Sequence, residues 1–318
     1  MTITVSKAPP FATIQDLGWS VGRAWGLPRG GAMDRVSLVL ANLLVGNEPG
    51  AAAIEWALGP GELEFADATY VAVAGGAEVV VAGRARRTEA TLRVRAGDRV
   101  RVTPTAGSRF GYIAIRSGID VPAPLGSRST YLPAGIGGLS GRRLKLGDVL
   151  SLGPEPETPP PAEGVSFERP AALRTHDQPP FGILPGPHHD LFSPAAKAQL
   201  ARGTFRLAPT SDRMGIRLEG PPVVSTAPAT LPSEGVCIGS MQIPSGGMPI
   251  VVMPDGPTVG GYPQAAVVIR AHLSRFAQQP PGANLTFRWM TLAEARLAAD
   301  EEARALSIVG RALRRPLA

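Results

Sequence analysis

From Ala51 to Leu150 the chain never sustains an apolar run for more than a few residues. Ala53 to Leu58, Leu63 to Phe65, Tyr70 to Ala74, Glu78 to Val81, Ala90 to Val94, Arg99 to Val102 and Phe110 to Arg116 follow one another, with turn formers and polar residues between them. Segments this short, returning at a spacing of roughly ten residues, are the cadence of strands in a sandwich or barrel and are too brief for helices. Gly 38 and Pro 33 among 318 residues are scattered between the apolar runs instead of gathered into tracts, as many tight turns require. The expectation is therefore a mainly β protein, and the length suggests about two domains.

Helices are few. Asp34 can cap one whose apolar face runs through Leu38, Ala41 and Val45 and which Gly46-Asn47 stops. A second spans about Pro194 to Arg202. A third, Leu292 to Leu313, carries Glu294, Asp300, Glu301 and Glu302 early and Arg311, Arg314 and Arg315 late, the order that the helix dipole favours. Gly153 to Pro161 has prolines at too many positions to pair as a central strand. It divides the chain into an N-terminal β-rich lobe at 1–152, a Pro-rich linker at 153–163, a C-terminal β-barrel lobe at 164–290 and a helical tail at 291–318.

Several function classes fall away. The net charge is +6 and all but Lys7, Lys145 and Lys197 of the 32 basic residues are arginines. These arginines are dispersed through strand-like segments and aromatics are only 5%, so the clustered basic stripe of a nucleic-acid binder is missing. The single cysteine, Cys237, sits in an apolar strand pattern and reads as a small buried residue. No apolar run reaches membrane-spanning length and the amino terminus lacks a signal-peptide pattern, which leaves a cytoplasmic protein as the expectation. Neither a phosphate-binding GxxxxGK[ST] loop nor the HExxH motif occurs. The four histidines, His176, His188, His189 and His272, form no evident ligand set, so no metal is expected. Asp190, beside His188-His189, reads as a helix cap.

The polar chemistry concentrates in Ser233 to Pro263. Apolar runs Val236 to Ile243 and Met248 to Met253 flank Pro244-Ser245-Gly246-Gly247, which predicts a β-hairpin. The second strand empties into a loop where Asp255, Thr258 and Tyr262 stand among Pro254, Gly256, Pro257, Gly260, Gly261 and Pro263, and polar groups on a loop carried by buried strands suggest a site. Upstream, Arg213 lies at the mouth of a strand, where its guanidinium can hold a carboxylate or phosphate in bidentate fashion.

These blocks carry a resemblance. Gln15-Asp16-Leu17-Gly18, Gly26-Leu27-Pro28 with Gly31-Ala32-Met33-Asp34, Ala41-Asn42 with Leu44 to Asn47, Gly126 to Thr130, Ser211 to Gly220, and Ser233 to Gly235 through Gly260-Gly261-Tyr262-Pro263 occur in order along nearly the whole chain. Together they resemble the biotin-dependent carboxyltransferase family. That family includes the C component of ATP-dependent 5-oxoprolinase, the antagonist member of the sporulation-kinase inhibitor system, and the carboxyltransferase region of urea carboxylase, often labelled the second component of allophanate hydrolase. The resemblance implies two β-barrel-like lobes, at least one cyclophilin-like, with a few short helices and a C-terminal helix.

It also implies hydrolysis of 5-oxoproline to glutamate together with an A component and a kinase-inhibitor-like B component, with ATP used through the complex and the chain inactive alone. A carboxyltransferase component of a biotin-dependent urea or amide carboxylase, and a regulator binding a histidine-kinase inhibitor, are the alternatives. The Met-Lys-Met context of a biotin carrier is absent, so no biotin is expected on this chain. Under the leading reading Asp255, Arg213 and Tyr262 are the catalytic candidates. Thr258, Gly260, Gly261, Glu234, Gln15 and Asp34 are the substrate-binding candidates, for a small molecule and neither nucleic acid nor a membrane. Trp19, Val259 and Ala283-Asn284 depart from the family pattern, which has arginine, threonine and aspartate there.

Overall fold

The computed structural model describes residues 1–174, 180–226 and 230–314; His176 and Arg315 lie outside them. The chain divides into two compact units. The first takes residues 1–20, 30–174 and 304–314, and the second takes 21–29, 180–226 and 230–303.

In the first unit, two sheets enclose one core. A seven-stranded sheet runs in the order Ile119–Asp120, Val149–Leu152, Thr2–Lys7, Gly61–Phe65, Arg99–Pro104, Ala77–Val81, Arg84–Arg86. A five-stranded sheet runs Phe11–Gln15, Ala53–Ala57, Gly111–Ile115, Thr69–Gly75, Leu92–Val94. Alternation decides which side chains meet. Val71, Val73, Ile54, Ile113 and Ile115 join Ile3, Val5, Leu63 and Val100 in the shared core, whereas their neighbours Ala72, Ala74, Glu55, Tyr112 and Ala114 point to the opposite face. That second face is covered by helix α1, Arg35–Leu44, and the alanines there leave room for it. Three central strands are consequently buried on both sides, so their sequences read as nearly continuous apolar runs.

Asp34 caps α1 as expected, accepting from Ser37 N at 3.0 Å and from Ser37 Oγ at 2.5 Å. The Pro-rich segment at 153–163 lies along this unit instead of hanging free between two lobes. Prolines remove backbone donors but keep acceptors, and Arg116, 3% exposed, uses those acceptors. It donates to Pro156 O at 3.0 Å and Thr158 O at 2.7 Å and pairs with Glu155.

The second unit is a barrel that very nearly closes. Its eight strands run Asn284–Leu285, Phe205–Leu207, Gly215–Glu219, Ile250–Val252, Ser240–Gln242, Gln264–Val268, Phe181–Pro185, Phe287–Trp289. The first and last of these are separated in sequence only by Thr286. One short chain segment therefore supplies both edges of the sheet, which curls round until they meet and so removes most of the edge-strand problem. Phe181, Phe205, Phe276 and Phe287 fill the interior in edge-on and tilted contacts, with ring centroids 5.1–6.3 Å apart.

Helix α2, Pro194–Arg202, is capped by Ser193, whose side chain accepts from Ala196 N at 3.2 Å. Asp190, read from sequence as a cap, stands in a short 3-10 turn instead. Helix α3, Arg270–Ala277, was not evident in the sequence because only Ser274, Phe276 and Ala277 of its eight residues are buried. Helix α4, Leu292–Leu313, is continuous and opens with a reciprocal capping box between Thr291 and Glu294 (2.7 Å and 3.2 Å). No helix among the described residues is long and apolar enough to cross a membrane.

His272 on α3 accepts from Gly182 N at 2.8 Å through Nδ1 and packs edge-on to Phe181. Burial, with the nearby Arg275 and Arg288 charges, lowers its pKa from 6.5 to about 4. Between those values the unfolded chain binds the proton and the folded one does not, so stability falls as pH drops from about 6.5 towards 4. Denaturant titrations at a series of pH values should show this slope reduced in His272→Gln; an unchanged slope refutes the assignment.

Candidate functional site

The hairpin expected around Pro244–Gly247 forms, with Met241 opposite Val251, Gln242 opposite Ile250, and Gly247 N donating to Pro244 O at 2.9 Å. Its first strand is shorter than its apolar run. Ser240 N turns back on Cys237 O at 3.0 Å with Gly239 at φ 90°, and Cys237 is exposed, so the cysteine is not the buried residue that the pattern suggested. This turn frees the preceding residues for another partner. Glu234–Gly235 pairs with Val259–Gly260 in a separate two-stranded ribbon, and Val236 N donates to Thr258 O at 2.9 Å. Glu234 and Gly260, far apart in sequence, thereby become cross-strand neighbours.

Arg213 and Asp255 also meet. Backbone bonds from Asp255 N to Arg213 O and from Met253 N to Met214 O, each 3.0 Å, hold the two loops together. The side chains then close a bidentate pair, with Nε to Oδ2 and Nη2 to Oδ1 both at 2.8 Å. Exposure is 6% for Arg213 and 2% for Asp255. Each is the other's ligand. The pair braces the floor of the loop from 253 to 263, and the fork occupies both carboxylate oxygens of Asp255.

Thr258 is buried above this brace, whereas Tyr262 is 40% exposed and Val259 more so. Gly260 and Gly261 answer to close approach. A Cβ on Gly260 would stand 2.5 Å from Gln242 Nε2, and one on Gly261 2.7 Å from Leu231 O.

Glu234 is held from two sides. Gln264 Nε2 donates to its Oε1 at 2.9 Å, and His188 Nε2 lies 3.4 Å from the same oxygen. The other imidazole nitrogen, Nδ1, accepts from Gln264 N at 3.1 Å. In the sequence His188 stands far from Glu234, with no motif that links the two. The available signal was Gln264 itself, a polar residue immediately before the apolar run Ala265 to Ile269. Among the described residues no group of three or more His, Cys, Asp or Glu is placed to hold a metal ion.

Two site candidates belong to the first unit. Gln15 is fully buried, donating to Thr13 Oγ1 at 3.0 Å and Thr130 O at 3.1 Å. Asp34 is the α1 cap, and its own N–H donates at 2.7 Å to the Tyr112 hydroxyl, which in turn donates to Glu55 Oε2 at 2.7 Å. Burial and the adjacent Glu55 push the Tyr112 phenol well above its usual pKa of 10.0, so it stays protonated as this donor. The Gly126 to Thr130 motif acquires a physical reason as well. Asp16 Oδ1 accepts from Gly18 N, Ser127 Oγ and Ser129 Oγ at 2.5–2.7 Å, and its Oδ2 accepts from Arg128 N at 2.7 Å. The motif is a cradle for a buried carboxylate. Trp19, a departure from the family pattern, is 1% exposed, donates to Pro124 O at 2.8 Å and packs on Gly30.

Comparison with known proteins places this arrangement. The family model "Carboxyltransferase domain, subdomain A and B" matches residues 25–289. The C component of 5-oxoprolinase from Escherichia coli K12 is 37% identical over 303 residues, which is 95% of this chain and 96% of that one. Its namesake in Haemophilus influenzae is 33% identical over 285 residues, covering 89% and 90%. The urea amidolyase of Lachancea kluyveri is 32% identical over 89% of this chain but only 16% of its own length. Among solved structures, the Kluyveromyces lactis urea amidolyase superposes with a TM-score of 0.90 at 29% identity, over 97% of this chain and 20% of that one. Matched along most of its length by the family model and by relatives above 30% identity, the chain belongs to the carboxyltransferase-domain family that spans subdomains A and B.

Proposed function

We propose that the chain is the C component of an ATP-dependent 5-oxoprolinase-type complex, which opens the lactam of 5-oxoproline to glutamate together with partner A and B components. The carrying observation is the degree of likeness: the Escherichia coli 5-oxoprolinase C component is 37% identical over 95% of this chain, above the 32% over 89% for the Lachancea kluyveri urea amidolyase. On this reading ATP is used through the complex and no biotin is carried on this chain.

The second unit offers what lactam recognition needs: a rim at Gly260 to Tyr262, a carboxylate at Glu234, and a floor held rigid by Arg213 and Asp255. Lactam opening also requires a stabiliser for the charge that develops on the carbonyl oxygen, a role suited to backbone N–H groups of the glycine-rich rim. The urea or amide carboxylase reading is kept as the second, because the 0.90 superposition is with a urea amidolyase.

Co-expression with A-component and B-component homologues, followed by assay of glutamate release from 5-oxoproline, tests the proposal. The expected result is release that needs ATP and all three chains and is insensitive to avidin. An intact three-chain assembly that releases no glutamate overturns it. Activity on urea that avidin abolishes transfers the chain to the second reading.

A further inference from the structure

Once Arg213 and Asp255 have closed on each other, the second unit's ribbon carries a different carboxylate with the features of a proton-exchanging group. The hydrogen bond from Gln264 Nε2 addresses Oε1, beside which His188 Nε2 stands at 3.4 Å, while Oε2 has no hydrogen bond among the described residues and the side chain keeps 41% exposure. A carboxylate tethered by one oxygen is oriented without being consumed. The tether is itself oriented. His188 Nδ1 accepts the Gln264 N–H, so a neutral ring carries its proton on Nε2, the nitrogen that faces Glu234. His188 is in turn largely enclosed, its side chain 17% exposed. This is the base-plus-orienter arrangement found where side chains move protons.

A second, independent observation marks the same spot. Gln242 is 6% exposed and its Nε2 is buried against Gly260, the cross-strand neighbour of Glu234, with no hydrogen-bond partner among the described residues. A buried donor left unpaired costs about 1–3 kcal/mol. A ligand carbonyl oxygen reached by a small shift of the Val259–Gly260 strand would satisfy it. Gln242 and Glu234 then supply a donor and an acceptor side by side, which matches an amide or lactam presenting C=O and N–H on one edge.

We propose that Glu234 is the proton-exchanging residue of this site, that His188 is its positioning residue, and that Gln242 is the donor for the ligand carbonyl. The ligand class is a compound with an N–H next to a carbonyl. In the step assigned to Glu234, the ligand N–H or the O–H of an attacking water passes its proton to Oε2, and the bonding electron pair stays on nitrogen or oxygen. The proposal rests on the reading given under Proposed function.

The test uses the full chain, alone and assembled with its A and B partners. In the assembly, Glu234→Gln should lower kcat by about 100-fold or more with KM within about threefold. His188→Ala should lower kcat by about tenfold, and His188→Gln, which keeps an N–H donor, should restore most of it. A merely structural His188 would give equal losses for both substitutions and a change in KM. Glu234→Gln turning over within about threefold of wild type overturns the proposal.

The substrate-independent arm is the nitrogen-15 spectrum of His188 in the full chain. The proton is expected on Nε2, with that resonance displaced in Glu234→Gln. A proton on Nδ1, or a ring indifferent to Glu234→Gln, overturns the pair whatever the substrate. An assembly inactive on 5-oxoproline sinks the lactam reading while this second arm still decides the pair.

Discussion

Asp255→Ala should destabilise the second unit by about 3–5 kcal/mol, the cost of removing one partner from a buried ion pair. The guanidinium of Arg213 is 6% exposed and its fork is filled by Asp255, so alanine leaves a buried positive charge without its carboxylate. Hydrogen exchange resolved by segment should show faster opening of Gly215–Glu219 and Ile250–Val252, the strands that the pair ties together. Replacing both members by apolar residues of similar volume should recover part of the loss, because the desolvation cost of both charges then disappears. A single-variant loss below about 1 kcal/mol would contradict the bracing role. Asp255→Asn separates the roles further. A fold that survives while turnover vanishes would return Asp255 to the chemistry.

The second large effect is expected at Asp16→Ala in the first unit. Four donors converge on that carboxylate, two hydroxyls and two backbone N–H groups. Hydrogen bonds to a charged acceptor contribute about 1.5–3 kcal/mol each. They are not additive, but a loss of about 3 kcal/mol or more is expected, with Asp16→Asn intermediate because the amide keeps one acceptor. The readout is protection of the Arg128 and Gly18 amides. If both keep wild-type exchange rates in the alanine variant, the cradle does not depend on the carboxylate.

How much was legible beforehand depends on how local each signal was. The α1 cap at Asp34, helix α2 at Pro194–Arg202 and most strands of the first unit follow from short-range patterns, and those segments stand where the sequence puts them. Cys237 was misread because an apolar run looks like one strand until Gly239 turns it at φ 90°. The Pro-rich segment at 153–163 shows the same limit: its missing donors are visible in the sequence, but the use of Pro156 O and Thr158 O as acceptors depends on Arg116, some forty residues away along the chain.

The candidate site shows the same division. Arg213 and Asp255 were recognisable in the sequence as a guanidinium able to hold a carboxylate or phosphate and a carboxylate on the site loop. The structure pairs them 2.8 Å apart in a buried position, which changes what either can do. Conversely, His188 carried no sequence signal linking it to Glu234, because the link is made by Gln264 on a third segment.

What the sequence by itself determined is the β-rich class, the positions of most turns and caps, the family, and the stretch from Ser233 to Pro263 where polar groups gather. All of these rest on interactions between near neighbours in the chain, or on motifs read in order. What only the tertiary structure decided is the closing of the second sheet through Thr286, the mutual capture of Arg213 and Asp255, and the assembly of His188, Glu234, Gln242 and Gln264 around one ribbon. The physical reason is that a side chain's chemistry is set by what lies within a few ångströms of it, and here those neighbours come from segments tens of residues apart.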